Sequence, residues 1–108
     1  MDNHIIIYIT FPDKKAASIV VEQLLNHKYI ACANLIDNVR SHFWWQGTID
    51  ETSEVMAIVK TTRAMFEKVV ALVQRDHPYE VPEIIAVPII AGSESYLKWI
   101  DEAVESGQ

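Results

Sequence analysis

What this sequence lacks narrows its class before any motif is read. Cys32 is its one cysteine, so no intrachain disulfide can form, and no CxxC pair is present for zinc or redox work. Positive charge is scarce too: 9 Lys+Arg stand against 15 Asp+Glu, a formal net charge of −6. Nucleic acid and anionic membrane both require clustered positive charge, so neither is expected as a partner. No apolar stretch approaches the ~20 residues of a membrane span. There is no GxSxG, no local Cys–His signature and no Gly-rich phosphate loop, so no enzyme is expected. No repeat, low-complexity run or Gly/Ser linker divides the 108 residues, which are read as one domain, 1–108. The opening MDNHIIIYIT carries an acidic residue and no small-residue cleavage site. It reads as a strand rather than a signal peptide, and a cytoplasmic location is expected.

What is present is a strongly patterned chain. IIIYI (5–9) is a short β-branched run typical of a buried strand. Thr10, Pro12 and Asp13 supply a helix start, and Ala17, Val20, Val21, Leu24 and Leu25 follow as one apolar stripe ending near His27–Lys28. From Ala31 a long extended segment runs through Ala33, Leu35, Val39, Phe43 and Trp45, with a bend or bulge at Asp37–Asn38. QG (46–47) and DETS (50–53) compete as its turn; the polar cluster 50–53 is preferred, and EVMAIVKT (54–61) is the return strand. Thr62 opens a second helix carrying Met65, Val69, Leu72 and Val73, which Pro78 limits. A strand at 83–90 contains Pro88, which places it at an edge or a bulge. Gly92–Ser93 start a last helix with Tyr96, Leu97, Ile100 and Val104 inward.

The order β-α-β-β-α-β plus a C-terminal helix predicts an α+β, ferredoxin-like split βαβ sandwich with an antiparallel sheet. One face of such a sheet is covered by helices, and the other should be polar. Here Val55, Ala57 and Val59 are apolar, and so are Met56 and Ile58 on the opposite face. One short C-terminal helix is too small to cover that second face. Another subunit is expected there.

The chemistry-bearing residues cluster in DHPYEVPEII (76–85). His77 sits where a helix C-terminus favours a cation, either satisfying terminal carbonyls or offering a metal ligand, with Asp76 as a possible oxygen ligand beside it. Glu80 and Glu83, three apart in an extended segment, point to opposite faces and make a poor acid/base couple. Cys32, flanked by alanines, is either an inert packing residue, a thiolate copper ligand, or a nucleophile paired with His77. In HFWWQG (42–47), Trp44 and Trp45 face opposite sides, so that one is free to pack in the core while the other marks a protein interface. His42 shares a face with Trp44 and reads as a surface or packing residue.

ACANLI (31–36), WWQGTI (44–49), SEV (53–55), KT (60–61), HPYEVPEI (77–84) and YLKWI (96–100) together resemble the CutA family of divalent-cation tolerance proteins, from about Ile5 to Ile100. The resemblance implies a tight homotrimer related in architecture to PII-type signalling proteins, with long hairpin strands shared between neighbours. It implies no enzymatic activity, and it implies divalent cations as partners, copper (Cu2+) first. Some members carry a cysteine just before the T-x-P-D helix start and a His-His pair just before PY. This chain has Ile9 and Asp76 at those positions, which leaves His77, with Asp76, as the metal set and Cys32 or Glu80 as additions across subunits. The remaining family motifs place Trp45, Glu54, Lys60, Tyr79 and Glu83 near a subunit cleft, as either an ordinary interfacial network or a pocket of the kind that binds small ligands. The resemblance therefore leaves two readings: a copper-binding tolerance protein, and a PII-like signalling or scaffold module with ligand or partner protein in its clefts.

Overall fold

The structure, a computed structural model, describes residues 3–104. Strand β1 (His4–Phe11) leads into helix α1 (Lys14–Asn26). The Asp13 carboxylate accepts the Ala16 backbone N–H at 2.8 Å and caps the helix. Ala17, Val20, Val21 and Leu24 are buried, whereas Leu25, a hundred degrees or so round from Leu24, is exposed. The long strands β2 (Cys32–Trp45) and β3 (Thr48–Thr62) form a hairpin. Its turn is Gln46–Gly47, not the expected 50–53: both residues have positive φ, 51° and 83°, as a two-residue turn between right-twisted strands demands. The polar residues 50–53 lie within β3 instead, because the ribbon there runs out past the helices and both of its faces meet solvent. The ladder is interrupted between Ile36 and Val39, at the expected bulge, where Asn38 has φ 61°.

A single 3-10 turn (Arg63–Met65) precedes helix α2 (Phe66–Asp76). The helix was expected to open at Thr62, but that side chain makes no capping bond, and regular helix begins four residues later. His77 leaves α2 in extended conformation (ψ 140°) ahead of Pro78, the conformation a residue before proline prefers. Strand β4 (Ile84–Pro88) is shorter than the 83–90 expected, and helix α3 (Glu94–Ala103) follows. The sheet order is β2-β3-β1-β4, antiparallel throughout. β3 thus lies between β1 and β2, which α1 connects: the split βαβ arrangement of an α+β sandwich. Pro88 lies on edge strand β4, where its missing N–H costs no ladder bond between two strands.

Alternation along the strands assigns two faces. Ile5, Ile7, Ile9 and Phe11 of β1 pack with Val55, Ala57 and Val59 of β3 against the buried stripes of α1 and α2. The opposite face carries Ile6, Tyr8, Met56, Ile58 and Ile36, with Ile85 and Val87 of β4. Helix α3 covers only one end of it, since it reaches His4 through Asp101 and Cys32 through Tyr96. Of the four residues expected inward on this helix, Ile100 is fully buried, Leu97 and Val104 are half-buried, and Tyr96 is exposed. Ile36, Ile85 and Val87 stay 46%, 53% and 38% exposed.

Candidate functional site

The end of β1, the loop after α2 and the middle of β3 converge on one polar cluster. His77 lies at its centre, 7% exposed. Its ring stacks on Phe11 at 4.7 Å between centroids and 17° between planes. Nε2 is 2.7 Å from the Thr10 carbonyl oxygen, and Nδ1 accepts the Tyr79 backbone N–H at 3.0 Å. Burial holds the ring's pKa below its ordinary value, against opposing contributions from the Thr10 carbonyl and the Glu54 charge. The Tyr79 ring lies 4.9 Å from that of His77, and its hydroxyl donates to the Glu54 carboxylate at 2.7 Å. Burial, then the bond to Glu54, pushes the phenol pKa well above its usual value. Glu54 is itself 7% exposed, so a carboxylate and a phenol share one desolvated hydrogen bond.

The expected metal pair does not form here. A carbonyl only accepts, so Nε2 carries the proton, and the one lone pair of the ring, on Nδ1, is taken by Tyr79. Asp76 turns away to form a two-bond ion pair with its neighbour Arg75, at 2.9 and 3.0 Å, which lowers the carboxyl pKa. Among the described residues no three His, Cys, Asp or Glu side chains gather where they could hold one ion. The residues at this position therefore do not fit a copper ion.

Of the five cleft residues, one protomer brings together only Glu54 and Tyr79. Trp45 is at the hairpin turn and Lys60 near the other end of β3, each six residues from the Glu54–Val39 pairing level, or about 20 Å at strand rise. The Lys60 ammonium bonds Asn34, and Glu83 is exposed ahead of β4. Trp44 and Trp45 are both exposed, so neither packs in the protomer core. Cys32 is half-buried, with Sγ 3.6 Å from the Tyr96 hydroxyl and not near His77, which removes the alternative of a nucleophile paired with that histidine.

Sequence reasoning missed several partners: the Thr10 carbonyl, Phe11, Asn34 and Tyr96. It also missed a cross-strand cluster in which Arg40 bonds Glu51, with His42 Nε2 3.3 Å from the same carboxylate. A polar cavity of about 400 Å³ beside the bulge is lined by Asn38, Arg40, Glu51, Thr52 and Ser53. The signal was available, because a two-residue turn at 46–47 sets His42 opposite Glu51.

The fold and its match to proteins of known structure define the class: a small α+β divalent-ion tolerance protein. Residues 5–103 match the family described as CutA1 divalent ion tolerance protein, and the chain belongs to that family. It is 45% identical to the divalent-cation tolerance protein CutA of Pyrococcus horikoshii, over 91% of this chain and 95% of that protein. Identity to the chloroplastic CutA of Arabidopsis thaliana is 32%, over 94% of this chain but 56% of the plant protein. The chain thus spans about half the length of that relative. A crystal structure of CutA from Archaeoglobus fulgidus superposes with a TM-score of 0.92 at 41% identity, covering 94% of this chain and 99% of the other.

These relatives overturn the expected cytoplasmic location. The Arabidopsis protein is chloroplastic and the Archaeoglobus protein is described as periplasmic. One domain serves in several compartments, so an N-terminal strand beginning at residue 4 does not place this chain in any one of them. Among the described residues no helix is long and apolar enough to cross a membrane.

Proposed function

We propose that this chain acts in divalent-cation tolerance as a homotrimer that binds without turnover, copper (Cu2+) being the first cation to consider. Family membership supports the tolerance role. One structural observation carries the assembly: the second sheet face is apolar, only partly covered by α3, and exposed at Ile36, Ile85 and Val87. Two of the cleft residues point the same way: Trp45 and Lys60 lie about 20 Å along the β2–β3 hairpin from the Glu54 level, so a cleft that holds them beside Tyr79 draws on neighbouring copies. Cu(II) tops the divalent affinity order for nitrogen and oxygen ligands. Because His77 and Asp76 do not fit it, any copper ligands are drawn from more than one protomer, with Cys32 and Glu80 as candidates. Calorimetric titration with Cu(II), against Zn(II) and a weak competing chelator, tests this. A defined number of coppers per trimer supports the copper role; no binding of either ion removes it and leaves tolerance indirect.

The desolvated Glu54–Tyr79 pair favours a second reading, a PII-like trimeric signalling or scaffold module holding a small molecule or a partner protein in its inter-subunit clefts. A metabolite that raises the melting temperature of wild type but not of Glu54→Gln identifies that case.

A further inference from the structure

We infer that His77 is a positioning residue, fixed as the neutral Nε2–H tautomer, that holds Tyr79 against Glu54 and is not a metal ligand. The geometry of one protomer carries this, independently of whether the cleft binds anything. Each ring nitrogen meets a partner that can play only one role. The Thr10 carbonyl must accept from Nε2, and the Tyr79 backbone N–H must donate to Nδ1. A metal at Nδ1 would have to displace Tyr79; a metal at Nε2 would have to displace its proton and face the Thr10 carbonyl oxygen, 2.7 Å away. Either exchange takes the histidine partner from a buried or part-buried backbone group.

The surroundings reinforce the same tautomer. Phe11 covers one face of the ring. Glu54 of β3 and Tyr79 are the titratable groups turned toward it, and Asp76 next to it is paired with Arg75 instead. Thr10 belongs to β1, Glu54 to β3, and Tyr79 to the loop ahead of β4, so His77 ties two segments directly and the third through Tyr79. The bond to Nδ1 sets the Tyr79 backbone, and the ring contact then directs the phenol to Glu54. The histidine offered as a metal ligand on sequence resemblance is, in this chain, the strut behind the carboxylate–phenol pair.

Two substitutions separate the two ring nitrogens. His77→Asn keeps an acceptor near the Nδ1 position and loses the Nε2 donor. His77→Gln keeps a donor near Nε2 and loses the Nδ1 acceptor. Both lose the Phe11 stack, so packing loss alone affects them alike. Amide hydrogen exchange at Tyr79 is expected to be slow in wild type and in His77→Asn, and at least roughly tenfold faster in His77→Gln. Equal exchange in the two variants would overturn the positioning role. Nitrogen-15 spectra of wild type need no variant to fold: they should show a protonated Nε2 and a bare Nδ1 at His77. Substoichiometric Cu(II) should broaden the exposed His42 ring first and leave His77 sharp. Loss of the His77 signals ahead of those of His4, His27 and His42 would make it a ligand after all.

Discussion

The Tyr79 hydroxyl and the Glu54 carboxylate, 2.7 Å apart, join the loop after α2 to the middle of β3. The two are 25 residues apart in sequence, and each would be costly to bury alone. Tyr79→Phe removes the donor and leaves a 7%-exposed carboxylate short of a partner. A loss of about 1–3 kcal/mol in denaturant unfolding is expected. Glu54→Gln keeps an acceptor and should lose less.

The same pair sets a response to base. The folded phenol titrates above its ordinary value, about 10. Its contribution to stability is complete below that value and lost as pH rises through the folded one, because the unfolded tyrosine gives up its proton first. Wild type should therefore lose stability more steeply than Tyr79→Phe above about pH 10, as melting temperatures across that range will show.

His77 produces the opposite window. Burial, its first cause, lowers the folded pKa from an ordinary value of about 6.5. Below that pH the unfolded chain takes up a proton that the folded ring resists. Stability is then complete above about pH 6.5 and falls as pH drops toward the folded value. His77→Gln, with nothing to titrate there, should show a flatter acid limb in denaturant melts at pH 4.5–7, and an unchanged limb would assign the acid loss to other groups.

Much of this architecture could be read from the sequence, because burial on a helix or strand leaves a period. The stripe Ala17, Val20, Val21, Leu24 and the run 5–9 needed no tertiary information. The bulge at Asp37–Asn38 was marked by its polar pair. The hairpin turn was misplaced because polarity was taken as the turn signal, whereas positive φ at Gly47 decides it and 50–53 are polar only because the ribbon projects into solvent. The cluster was half legible. His77, Tyr79 and Glu54 could be named from motifs, but the Thr10 carbonyl that fixes the histidine tautomer is a backbone group, and no side-chain pattern reveals it.

The turn itself is open to test. Gly47 has φ 83°, and a Cβ added there meets nothing within 4 Å. Gly47→Ala therefore suffers backbone strain alone, an expected loss of about 1 kcal/mol in chemical denaturation. A neutral result would mean that the turn relaxes to another type.

Asp76→Ala should contrast with His77→Gln. Its carboxylate bonds the exposed Arg75 side chain, and exposed ion pairs contribute little. The melting temperature and the Cu(II) isotherm are both expected to stay as in wild type. A lost copper-binding event in this variant alone would return Asp76 to the metal set.

The apolar second face of the sheet makes the strongest demand on the molecule, and light scattering at micromolar concentration addresses it without any substitution. Three copies of the 12.3 kDa chain per particle are expected. A particle of 12.3 kDa would contradict the homotrimer, and with it the inter-subunit cleft around Glu54 and Tyr79.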